Sequence, residues 1–192
     1  FIDTMQAEFG KVFVPVVAGN HGRTSRKPRA KQRALTNFDW LLGALLAEHY
    51  KGSKSVKVVV ATGPDLLFSI YGHRYLMTHG DQFRGGDGIT GALMPIARGD
   101  HKKRSRNAQI DMEYDTILMG HFHQLFITSR IMVNPSLKGL DEYSYQGNFP
   151  YESPAQLLWI TNHKKGITNI MSVQVDGDRK QAQPGEWVSW TE

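Results

Sequence analysis

Short β-branched apolar runs alternate along the chain with polar, glycine-marked turns, and one segment carries a helical stripe. Residues 3–9 read as the end of a helix. Residues 11–18 read as a buried strand, with Pro15 its one discordant position. After a basic stretch over 23–33, Thr36 is placed to cap a helix with Phe38, Leu41, Leu42, Leu45, Leu46 and Ala47 on one apolar stripe. That helix is expected to end near Tyr50, with Gly52 as its stop signal. Strand patterns follow at 56–61, 66–71 and 74–79, and Gly72-His73 suggests a hairpin turn between the last two. A glycine-rich loop over 80–91 leads to a short helix near 92–97, then to a second basic stretch over 98–106. A short apolar strand at 115–119 ends at Gly120-His121-Phe122-His123. Further strands are expected at 125–128, 130–133, 157–161 and 167–175. The last residues, 177–192, read as a polar tail, which leaves 1–176 as the folded domain. Many strands with few helices predict stacked sheets flanked by helices.

The chain has 192 residues, enough for one sizeable domain and a full core. It has no cysteine, which excludes a disulfide scaffold, a thiolate zinc site and a cysteine nucleophile, and fits a cytoplasmic protein. No apolar run reaches the length of a membrane span, so a soluble protein without a membrane partner is expected. Lys and Arg outnumber Asp and Glu by 23 to 18, a net charge of +5 that favours a polyanionic partner.

The placement of the eight histidines is more informative than their number. His21, His79 and His121 each follow an apolar strand-like run and sit beside a glycine, and His123 follows His121 by two residues. Site residues gather at strand ends, where loops converge on a rigid sheet. Imidazole nitrogen ligates zinc, iron, nickel or manganese, and an asparagine oxygen can add to it. Taken singly, each of these histidines reads more readily as structural. His49, His73, His101 and His163 read as surface or satisfied core residues, His49 near a helix C-terminus, where positive charge is welcome.

Three blocks occur in order: Gly19-Asn20-His21, Thr78-His79-Gly80-Asp81 and Gly120-His121-Phe122-His123. In this the chain resembles the calcineurin-like metallophosphoesterase family. The resemblance implies an α/β fold, a calcineurin-like αββα sandwich of two mixed β-sheets flanked by helices with its N-terminal part missing. It also implies a hydrolase that uses two divalent ions, with manganese favoured over iron, zinc or nickel. Asn20, His79 and His121 would ligate one metal and His123 the other. His21 would face the scissile phosphate. Residues 134–143 bear a weaker resemblance to phosphoesterases encoded by bacteriophages, which would place the protein in a host cytoplasm.

Two departures from the family pattern stand out. The acidic residue that usually follows Gly-Asn-His is Gly22, and the family's Asp-x-His and Gly-Asp-x-x-Asp blocks do not occur. The expectation is therefore the later part of a longer enzyme, or else a degenerate relative, that alone binds at most one metal well and has little activity. The two basic stretches tilt the expected substrate toward a DNA or RNA phosphodiester, with Arg23 the candidate for a direct phosphate contact. Phe83, Tyr143, Tyr145 and Phe149 are candidates for base stacking or for packing. Two rival classes are a non-catalytic nucleic-acid-binding module with a remnant metal site, and a structural metal site.

Overall fold

The structure, a computed structural model, describes residues 1–27, 29, 31–85, 91–149 and 151–175. Most of the glycine-rich loop after Gly85, the polar tail and the side chain of Tyr143 lie outside the described residues. The elements run α1 (Ile2–Phe9), β1 (Val12–Val16), α2 (Phe38–His49), β2 (Val56–Val60), β3 (Asp65–Ile70), β4 (His73–Thr78) and α3 (Leu93–Ala108). They continue with β5 (Thr116–Met119), β6 (Phe126–Ile127), β7 (Ile131–Val133), α4 (Glu142–Gln146), β8 (Ala155–Asn162) and β9 (Gly166–Gln174). This is a mixed α/β fold with mixed sheets flanked by helices. Among the described residues no helix is long and apolar enough to cross a membrane.

β1 and β2 pair in parallel, Val12 with Val56 through Val16 with Val60, and a parallel pair needs a crossover, which α2 supplies. Pro15 is accommodated because β1 has one neighbour among the described strands. α2 closes onto this pair through Gly43, where an added Cβ would lie 2.9 Å from Val16 Cγ1 and 3.1 Å from Val60. Such close backbone approach leaves Leu46 and Ala47 half-buried beside Gly43 and turns the other four residues of the predicted apolar stripe outward. Phe38, Leu41, Leu42 and Leu45 are 63%, 47%, 60% and 60% exposed. The cap also differs from expectation. Asn37, not Thr36, caps the helix by accepting from the Asp39 N–H at 2.8 Å, while the Thr36 hydroxyl donates to the Gln32 carbonyl.

The second layer has five strands in the order β3-β4-β5-β7-β6. β3–β4 is the expected hairpin, turning through Tyr71 and Gly72, both at positive φ. β4, β5 and β7 run parallel, so their C-terminal ends share one edge. Leu76, Ile117 and Val133 on one face pack with Phe83 and Ile96, the latter on α3. On the other face Phe68 stacks on Tyr75 at 5.4 Å and meets Phe13 of β1 at 5.2 Å. The β8–β9 hairpin covers the same side. Trp159 Nε1 donates to the Tyr75 hydroxyl at 3.2 Å, and that hydroxyl is 2.6 Å from Thr161 Oγ1. An apolar cavity of about 620 Å³ lies between β1, this sheet and the hairpin.

α3 is longer than predicted. The short helix and the second basic stretch form one helix of 16 residues. Beside Pro95, its buried positions Ile96, Asp100, Lys103 and Asn107 fall at helical spacing, yet three of them are polar. Lys103 reaches both carboxylate oxygens of Asp65, at 2.6 and 2.7 Å, and Asp100 receives Arg104 at 2.8 Å and the Tyr114 hydroxyl at 2.9 Å. Polar satisfaction, absent from a hydrophobicity pattern, is what buries this face. The α4 helix was not anticipated.

Candidate metal centre

The three motif blocks meet at the shared edge. β1 leads into Gly19-Asn20-His21, β4 ends at Thr78 immediately before His79, and β5 ends at Met119 just before Gly120-His121. The Gly120 N–H donates to the His79 carbonyl at 3.2 Å, which continues the parallel ladder past the strand ends. Asn20 Oδ1 lies 2.7 Å from His79 Nε2, and the His79 and His121 rings stand 5.1 Å apart at 63°. Gly80 permits this approach, since at φ +115° an added Cβ would lie 3.2 Å from His121 Cβ. His121 and His123 hold φ values of 70° and 56°, a left-handed conformation that costs roughly 1–3 kcal/mol per non-glycine residue and clusters at functional sites.

The Gly19–Gly22 turn is fastened to the start of α2. The Gly19 N–H donates to Asp39 Oδ2 at 2.9 Å, Asn37 Nδ2 donates to the Gly19 carbonyl at 2.7 Å, and the Phe38 N–H donates to the Gly22 carbonyl at 2.7 Å. A side chain on Gly22 would collide with Asn37 Oδ1 and lie 2.5 Å from Asp39 Oδ1. The departure at Gly22 therefore has a local reason: the carboxylate beside this turn comes from Asp39, on a different element.

Burial and the charge of His121 push His79 down to about 4, against the partial restoring effect of Asp81 and Asp39. Burial also lowers His121 and His123 from the ordinary histidine value. Neutral imidazoles are the form that ligates metal. His21 stands on the exposed turn, within electrostatic range of both His121 and His123. His123 lies further along the edge, its ring 5.6 Å from that of Phe149.

Two basic residues of the first stretch have defined roles here. Arg23 donates to the Asn20 carbonyl at 2.7 Å and the Ser25 carbonyl at 3.1 Å, so it holds the turn itself. Arg33 pairs with Asp81, whose side chain is only 10% exposed, and the Arg33 charge acts on both His79 and His121. Sequence reading singled out neither Arg33 nor Asp39. Phe83, one of the stacking candidates, belongs to the core, while Tyr145 is 75% exposed. His73 is satisfied as expected, 2.9 Å from Thr116 Oγ1.

Among the described residues no three His, Asp or Glu side chains are grouped so as to hold an ion. The donors that do converge are one amide oxygen and two neutral imidazoles, a set suited to a single borderline divalent ion. They do not furnish the ligands of a metal pair.

No protein-family model matches the chain, and no curated protein matches it by sequence. Among solved structures the chain is similar to a single mutant of Vps29 from Entamoeba histolytica, at 14% identity over 84% of this chain and 99% of that one, with a TM-score of 0.37. It is also similar to Vacuolar Protein Sorting 29 from Cryptosporidium parvum, at 13% identity over 86% and 96%, again with a TM-score of 0.37. Similarity at this level says nothing about activity.

Proposed function

We propose that this edge is the histidine half of a metal-dependent phosphoesterase centre, acting on phosphodiesters. The observation that carries the reading is the meeting of Asn20 and His79 at 2.7 Å with the His121 ring alongside, from three blocks separated by 59 and 42 positions in the chain. Asn20, His79 and His121 would hold one divalent ion, manganese by preference, and His123 would serve a second. Bound ions of this kind acidify a water and neutralise phosphoryl oxygens. His21, on the exposed turn, is the group that would donate a proton toward a leaving oxygen. Arg23 fixes the backbone carbonyl of Asn20 and so the turn that carries its side chain, and any contact of its own with phosphate would come through the remaining guanidinium nitrogen.

A second reading, a non-catalytic nucleic-acid-binding module with a remnant site, draws support from the direct Asn20–His79 contact, in which each group already satisfies the other. One variant separates the two. With Mn²⁺ present, wild type is expected to hydrolyse an aryl phosphodiester slowly but above background, and His21→Ala to lose that turnover, falling to background while binding Mn²⁺ equally well. Identical background rates for both proteins would rule out the enzyme.

A further inference from the structure

The second basic stretch forms the exposed ridge of α3. Arg98, Lys102 and Arg106 recur every four residues, so they follow one line up the helix at about 6 Å per step. With Arg84 they line an open groove of about 390 Å³, floored by Phe83, Pro95 and Gly99. Gly99 is required there, because the Phe83 ring occupies the place of a side chain, its Cγ 2.5 Å from where a Cβ would stand.

These cations are unevenly neutralised. Lys103, beneath the ridge, is committed to Asp65, and Arg106 reaches the same carboxylate at 3.4 Å. Among the described residues Arg84, Arg98 and Lys102 enter no ion pair. Positive charges with no carboxylate partner among the described residues repel one another along the groove until an anion lies between them. A row one helical turn apart matches a linear polyanion better than a compact one, and arginine forks fit phosphate oxygens in pairs.

We propose that the α3 groove binds the phosphodiester backbone of a nucleic acid. The groove begins at Gln82, whose amide donates to Thr78 Oγ1 at 2.6 Å, one residue before His79. Arg84 is five residues beyond His79, which at about 3.6 Å per residue bounds their separation at about 18 Å. A strand lying on α3 is thereby led toward the histidine edge. Binding rests on the groove alone, whereas calling the bound polymer a substrate rests on the phosphoesterase reading.

The test is fluorescence anisotropy of a labelled single-stranded oligothymidylate against wild type and the double variant Arg98→Gln, Lys102→Gln, over a range of salt. Both changes are on exposed positions, and a thermal melt checks that the fold is kept. The variant is expected to bind about 10-fold or more weakly at low salt, with a salt slope reduced by roughly 1.4, about 0.7 for each charge removed. Oligonucleotide binding that persists in a protein without Mn²⁺-dependent turnover would remove the enzyme reading and uphold the groove. Unchanged affinity and slope in the double variant, no binding by wild type, or competition by thymidine monophosphate as effective per phosphate as the polymer would each overturn the proposal.

Discussion

The histidine edge and the inner face of α3 both withdraw ionisable side chains from water, and they end in opposite charge states. At the edge, His79 meets burial and the like charge of His121, with Asp81 and Asp39 giving only partial compensation, so it stays neutral well into acid. On α3, burial lowers the Lys103 ammonium, yet two bonds to Asp65 act against it, and Asp65 itself is held below the usual carboxylate range once those bonds outweigh its own burial. Asp65 therefore stays a carboxylate and keeps its two bonds to Lys103. Burial among like charges thus produces a ligand, while burial against a counter-ion produces a structural tie. The tie matters for function because it anchors the helix that carries the cations of the groove.

Breaking the counter-ion tie has the largest expected effect. Asp65→Asn leaves Lys103, 7% exposed at its side chain, without its partner charge, and should cost about 3–5 kcal/mol in a denaturant titration. A loss below about 1 kcal/mol would mean that the pair is solvated and the comparison is unsound. The turn at the histidine edge is the next test. Gly22→Ala forces a methyl group against Asn37 and Asp39, both already engaged with Gly19, and should lower stability by about 1–3 kcal/mol on thermal denaturation. An unperturbed melt would show that the turn is not fastened to α2 as described.

Strand ends and turns were legible in the sequence because β-branched runs and glycine punctuation are local signals. The β3–β4 hairpin, the strand before Gly19 and the strand before His121 all lie where that pattern placed them. α2 was legible as a helix but not in its orientation. Its leucines announce a buried stripe, whereas Gly43, a residue with no hydrophobic weight, decides which side meets β1 and β2. α3 hid for the converse reason, since a run of Arg and Lys suggests a solvated loop until Asp65 and Asp100 are known to receive it. The candidate ligands could be chosen from motif order. Their neutral state, the Arg33–Asp81 pair and the Asp39 clasp depend on contacts between distant segments, and no local pattern encodes them.

The most direct test is the titration of His79 followed by NMR of its imidazole, in wild type and in His121→Ala. The account predicts a midpoint of about 4 in wild type and a rise toward the ordinary 6.5 when His121 is removed. Because the unfolded chain takes up this proton near pH 6.5, the stability associated with a neutral His79 should be complete above that pH and be lost as the pH falls toward about 4. A wild-type midpoint near 6.5, unmoved by the loss of His121, would mean that the two imidazoles do not share one buried edge.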